Sequence, residues 1–159
     1  MNTRFTQLTL VALLTMTSTL YAGFANTDKL LAEAKKEAGE MTPTKLKVII
    51  DEEESVIVLD VRESEQRSEG EIYADESYAI TRGNLEFVIG NKVKDKNALI
   101  VTYCRSGGRG ALAAQQLRHL GYKNATNLKG GLKAWAKSGY PVETGLGTVI
   151  ITEEAEPEE

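Results

Sequence analysis

The sequence predicts an α/β protein with a largely parallel central sheet. Two short apolar runs, residues 56–59 and 98–103, are continuous rather than alternating, as in strands buried on both faces. Stretches of helical periodicity alternate with such runs at short intervals, which is the pattern of β-α-β units. The chain has 159 residues, 42% of them hydrophobic and 26% charged. That is enough for the core of one domain and too little for two ordinary ones.

Residues 1–25 read as an export signal to be set aside from the fold. Arg4 gives a positive start, Leu8, Leu10, Val11, Ala12, Leu13 and Leu14 form an apolar stretch, and small residues lead to cleavage after Ala22 or Ala25. Thr15, Thr17, Ser18 and Thr19 interrupt the apolar run, so it makes a poor spanning helix, and no cysteine follows it for lipid attachment. The expected product is periplasmic or secreted, without a stable membrane anchor after cleavage.

Residues 26–41 read as a helical extension, with Leu30, Leu31, Ala34 and Ala38 at helical spacing and Gly39 as a stop. Thr42 and Pro43 start the next helix as N-cap and first helical residue, and it runs through Leu46, Ile49 and Ile50. The run at 56–59 is the first strand. A short polar helix at 64–69 closes on Gly70, and 77–81 is a second strand. A helix at 83–89 carries Leu85, Phe87 and Val88. The clearest strand is 98–103. A helix from Gly108 to Leu120 faces Leu112, Ala113, Leu117 and Leu120 inward and stops at Gly121. Residues 125–128 form another strand, and Gly130-Gly131 opens a last helix with Leu132 and Trp135, ended by Gly139. Residues 144–159 read as an acidic, flexible tail whose five glutamates, Glu153, Glu154, Glu156, Glu158 and Glu159, together with Arg4 in the export signal give the net charge of −4.

Composition excludes several classes of function. Outside the tail the charge is balanced, which argues against a nucleic-acid partner. A single cysteine, Cys104, allows no intramolecular disulfide and no cysteine-rich metal site. A single histidine, His119, excludes a multi-histidine metal site, so neither metal nor cofactor is expected. Any cysteine chemistry belongs to a lone thiol.

The chemistry-bearing segment is residues 99–111. A buried strand delivers Cys104 at its carboxyl end, where ligands bind in open α/β sheets. The loop Cys104-Arg105-Ser106-Gly107-Gly108-Arg109 then leads into the helix that stops at Gly121. Gly107 and Gly108 permit a tight curl with inward N–H groups, an anion-binding concavity backed by a helix N-terminus. That field favours the thiolate, and Arg105 and Arg109 add cationic donors. No general base is needed, and His119 sits near the far end of the helix. Most lone cysteines are small buried apolar residues. The strand, the glycines, the flanking arginines and the helix onset together favour a nucleophile.

This segment resembles the active-site loop of a single-domain rhodanese-like sulfurtransferase of the exported bacterial type. Asp60-Val61-Arg62-Glu63 resembles the family's motif after its first strand, residues 80–87 resemble the stretch of one exported subgroup, and Gly130-Gly131 with Trp135 resembles the motif near the domain's end. The resemblance spans residues 42–143. It implies a rhodanese-like fold with helices on both faces of the sheet, and Cys104 as carrier of sulfur. A donor such as thiosulfate would leave a persulfide on Cys104, and cyanide or a thiol would remove the sulfur. The N–H groups of residues 105–110 would cradle the persulfide and Arg105 and Arg109 would orient an anionic donor. Asp60 and Arg62 would line or support the loop, or simply close the strand end as an ion pair. The chain departs from the family at Glu71, where a histidine is usual, at Thr81, where a proline is common, and at Gly110, where serine is frequent.

Two other classes remain open. The domain could carry sulfur without turnover. Alternatively, a cysteine loop ending in arginine could serve a phosphatase or arsenate reductase, but those enzymes resemble this design with a longer loop. The four residues between Cys104 and Arg109 favour sulfur over the bulkier phosphate.

Overall fold

The computed structural model describes residues 25–151. The export-signal reading, apart from residue 25, and the glutamates of the tail lie outside the described residues. The chain divides into two compact units, Met1–Glu33 and Ala34–Glu159, and the site lies in the second. Helix α1 spans 25–38, and in the second unit its Ala34 and Ala38 are buried.

Five strands form one parallel sheet: β1 (Glu40–Met41), β2 (Ile57–Asp60), β3 (Glu76–Ala79), β4 (Leu99–Tyr103) and β5 (Asn124–Leu128), in the order β1-β5-β4-β2-β3. Helices cover both faces. Leu46 and Ile49 of α2 (Pro43–Asp51) and Leu132, Trp135 and Ala136 of α5 (Gly131–Lys137) pack with Val58, Val101 and Tyr103. Leu85 and Ile89 of α3 (Leu85–Lys92) and Ala113 and Leu117 of α4 (Gly108–His119) pack with Ile57, Leu59 and Ile100. Alternation along each strand splits its apolar residues between the two layers, so every residue of β2 is buried.

Most expected elements appear close to their expected bounds, and each has a local cause. Thr42 is extended and its side chain accepts from the Lys45 N–H at 3.2 Å, with Pro43 in the first turn of α2. The polar segment Ser64–Glu69 is a 3-10 helix, stopped at Gly70 with φ +108°. A Cβ on Gly70 would lie 2.3 Å from Val142 Cγ1, so this glycine is required by close approach as well as by φ. The helix expected at 83–89 is a 3-10 turn at Arg82–Asn84 followed by α3. Leu85 and Ile89 are buried one turn apart, while Phe87, about half a turn from Leu85, is 81% exposed.

Three elements were not anticipated. β1 is two residues long, too short for any periodic signal. β6 (Val142–Thr144) and β7 (Gly147–Val149) form an antiparallel hairpin where the sequence reads as the start of the tail. The hairpin is tied down by Glu143, which exchanges backbone hydrogen bonds with Glu71 at 2.7 and 2.9 Å. Glu71 is exposed and its recorded bonds are through the backbone, so this turn places little demand on the side chain that replaces histidine.

At the carboxyl end of β2 lies a buried ion pair. Arg62 is fully buried and Asp60 is 2% exposed. Arg62 Nε donates to both Asp60 oxygens at 3.0 Å and Nη2 donates to Oδ2 at 2.6 Å. The remaining N–H groups serve Gln66 O at 2.9 Å and Gly70 O at 2.7 Å. Burial alone lowers the Arg62 pKa, but the hydrogen bonds and charge of Asp60 outweigh it and leave the guanidinium more firmly protonated than usual. One side chain thus joins the end of β2 to the turn that follows it. Replacing Arg62 by Met leaves the buried Asp60 without its counter-charge, holding only the backbone N–H of residue 62, and should cost about 3–5 kcal/mol in urea unfolding. Asp60→Leu combined with Arg62→Met should recover most of that loss.

Candidate active site

Cys104 follows β4, the central strand, flanked by β5 and β2. The connection from β4 leads outward to β5, while that from β2 leads outward the other way to β3. The carboxyl end of β4 is therefore the switch point at which open α/β sheets bind ligands.

The sulfur is 3.2 Å from the backbone nitrogen of Gly107, whose N–H donates to Sγ, and Cys104 as a whole is 2% exposed. Gly107 makes this turn with φ +95° and serves as N-cap of α4. The N–H groups of the first turn of α4, from Gly108 to Gly110, have no intrahelical acceptor and give this end its positive character. Of the amides expected to form the cradle, only that of Gly107 is recorded on the sulfur among the described residues.

The turn is held from outside by the second double-glycine segment. The Leu132 N–H donates to Cys104 O at 2.9 Å and the Lys133 N–H donates to Arg105 O at 3.0 Å. These two N–H groups belong to the first turn of α5, so the start of one helix caps the loop that feeds another. Gly131 has φ +62°, and a Cβ there would lie 2.3 Å from Cys104 O and 2.8 Å from Gly107 N. Trp135, buried one turn on, donates from Nε1 to Pro141 O at 2.7 Å and stacks edgewise on Tyr140. It anchors the helix that presents these amides.

The first turn of α4 is fixed from below. Thr102 Oγ1 donates to Gly110 O at 2.8 Å. Asn127, fully buried on β5, donates to Glu40 Oε1 at 3.0 Å and leaves its own Oδ1 without a partner among the described residues. A Cβ on Gly110 would lie 2.3 Å from that oxygen, so Asn127 occupies the space that a serine side chain at 110 would need.

Arg105 and Arg109 differ in their surroundings. Arg105 is exposed, and its Nε lies 3.4 Å from Glu69 Oε2. Arg109 is half-buried and has no recorded hydrogen bond or ion pair among the described residues. Ser106 is exposed, Gly108 half-buried and Gly110 buried. Asp60 and Arg62 reach the site through Tyr103. Tyr103 pairs with Asp60 in the sheet, its ring lies 5.5 Å from the Arg62 guanidinium, and its hydroxyl accepts from the Ile72 N–H at 3.3 Å. Burial pushes the phenol well above its ordinary pKa, and the Asp60 charge adds to the shift, so the ring stays neutral. His119 lies in the last turn of α4, 2.6 Å from Glu37, away from the loop.

Beside the loop runs a groove of about 670 Å³, lined by Glu69, Arg105, Leu132, Lys133, Ala136 and Val142 among others. Its apolar walls belong to the α2–α5 layer, whereas Cys104 packs with the α3–α4 layer. Sequence reading missed Glu69, Thr102 and Asn127. Glu69 sits in a polar turn with no periodicity, and Thr102 and Asn127 look like ordinary strand residues.

Comparison with known proteins agrees with this geometry. Residues 42–138 match the rhodanese-like domain. A sulfurtransferase of Allochromatium vinosum is 32% identical over 89 residues, covering 56% of this chain and 79% of that protein. The solution structure of a polysulfide-sulfur transferase homodimer from Wolinella succinogenes has a TM-score of 0.65 at 25% identity, covering 74% of this chain and 87% of that one. A Rhodopseudomonas palustris protein of unknown function, named as a possible tyrosine phosphatase, has a TM-score of 0.66 at 28% identity, with 74% and 93% covered.

Gly131→Ala should destabilise the protein by about 2 kcal/mol in urea unfolding, because it forces both a positive φ and a contact with Cys104 O. It should also alter the rate at which iodoacetamide labels Cys104, whereas alanine at Gly145, which has open space around it, should do neither.

Proposed function

The chain belongs to the rhodanese-like domain family, and from that premise we propose that it is a sulfurtransferase that carries sulfane sulfur as a persulfide on Cys104. The observation that carries the reading is the Gly107 N–H donated to Sγ at 3.2 Å, at the head of α4 and the switch point of the sheet. A backbone amide aimed at the sulfur and the positive end of a helix both stabilise negative charge on an atom bound there.

The reaction has two displacement steps. The Cys104 thiolate attacks the outer sulfur of thiosulfate. The new bond joins Sγ to that sulfur as the donor's own S–S bond breaks, and sulfite departs with the electron pair. Cyanide or a thiolate then attacks the terminal sulfur, and the Cys104 thiolate is the leaving group. No net redox partner is consumed when cyanide is the acceptor and thiocyanate the product. Arg105 and Arg109 are the cations of the loop and attract an anionic donor, and the α4 amides stabilise the terminal sulfur of the persulfide. An exported, periplasmic or secreted setting belongs to the same reading and rests on Arg4 and the apolar residues that follow it.

The short loop supports sulfur over phosphate chemistry. Four residues separate Cys104 from Arg109. A phosphoryl group needs space for three equatorial oxygens, whereas a terminal sulfur needs space for one atom.

Purified protein should convert thiosulfate and cyanide to thiocyanate, and Cys104→Ser should abolish the activity. Thiosulfate without acceptor should raise the intact mass by one sulfur atom on Cys104. Turnover by the serine variant would overturn the mechanism. A mass increase without thiocyanate would leave a stoichiometric carrier, and hydrolysis of an aryl phosphate without thiosulfate turnover would establish the phosphatase reading.

A further inference from the structure

We propose that Glu69 is a positioning residue that sets the charge preference at the Cys104 mouth. It pairs with Arg105 and disfavours doubly charged sulfur donors relative to singly charged or neutral ones. The choice of donor rests on the reading of Cys104 as a sulfur carrier, but the effect of Glu69 on charged reagents at that thiol does not.

Glu69 is placed by neighbours rather than by its own reach. It ends the 3-10 helix Ser64–Glu69, and backbone carbonyls on both sides of it, Gln66 O and Gly70 O, are fixed by the buried Arg62. Its Oε2 lies 3.9 Å from Arg62 Nη1 and 3.4 Å from Arg105 Nε. Arg62 is already neutralised by Asp60, so the carboxylate charge is directed to Arg105.

Arg105 directly follows Cys104 in sequence, and its backbone is fixed by the Lys133 N–H. The two side chains are 40% and 56% exposed at the rim of the groove, where an incoming anion competes with Glu69 for the guanidinium. Both partners are solvated, so the pair is weak and exchangeable. Arg109, with no recorded partner, remains as the second cation of the loop. A doubly charged donor meets Arg105 already half-engaged and a carboxylate beside it. A mercapto acid or an organic persulfide meets less repulsion.

The test compares Glu69→Gln with the charge-retaining Glu69→Asp and the unaltered protein, using labelling of Cys104 by iodoacetate and by iodoacetamide. The ratio of the two rates cancels any change in thiolate fraction or access common to both reagents. Glu69→Gln should raise the iodoacetate-to-iodoacetamide ratio by about two- to fivefold at low salt. The gain should collapse at high salt, and Glu69→Asp should stay near the unaltered ratio. In thiosulfate:cyanide turnover, Glu69→Gln should lower KM for thiosulfate by a similar factor and leave kcat unchanged. An unchanged labelling ratio would overturn the role of Glu69. Failure of thiosulfate turnover in the unaltered protein would instead overturn the proposed function, and the labelling ratio would still decide the role of Glu69.

Discussion

The carbonyls of Cys104 and Arg105 accept hydrogen bonds from the first amides of α5, and on this contact the arrangement of the site depends. The two groups are distant in sequence and meet because β4 and β5 are neighbours in the sheet, each running into a helix at the same end. A loop of Gly107 and Gly108 is otherwise free to sample many conformations. Caught between α4 and α5, it has one, with the Gly107 N–H on the sulfur. Gly131 is what lets the two turns touch, since any side chain there would enter the Cys104 carbonyl. Trp135 and Tyr140 hold α5 in place for that purpose, so an aromatic pair far from the sulfur is part of its support.

A second level of support comes from the Asp60–Arg62 pair. Buried ion pairs contribute little net stability, because desolvation offsets the Coulomb attraction. What this pair supplies is geometry. Arg62 gathers a carboxylate and two carbonyls around one guanidinium, and so fixes the turn that carries Glu69. Tyr103, one residue before Cys104, lies against the same guanidinium and bonds to Ile72. The ends of β2 and β4 are therefore coupled. The pair closes the end of β2, and that strand adjoins the one that carries Cys104.

The fold was legible where one physical cause dominated. Continuous apolar runs marked β2 and β4, Thr42-Pro43 marked the start of α2, and the glycine-rich segment marked the start of α4. The exposure of Phe87 was not legible, because a short helix with several apolar residues has no single face by periodicity. The hairpin at 142–149 was missed because it is held by one backbone exchange with Glu71, which no side chain announces. At the site, Cys104 and its loop were readable as a motif. Glu69 and Asn127 were not, since their roles arise from contacts between segments far apart in sequence. The departure at Gly110 shows the same limit. It reads as a missing serine along the chain, and only in three dimensions as space taken by Asn127.

The cap of α5 on the Cys104 turn also bears on the order of assembly. Closing contacts between distant segments costs loop entropy, so they form after local ones. Residues 104 and 132 are closer in sequence than the paired residues 57 and 100 of β2 and β4, and until α5 docks the Cys104 loop lacks the amides that hold it. A chain at that stage presents an ordinary thiol on a floppy turn. The sulfur site is completed by the docking of the last helix, so a partly folded molecule has no positioned sulfur with which to react.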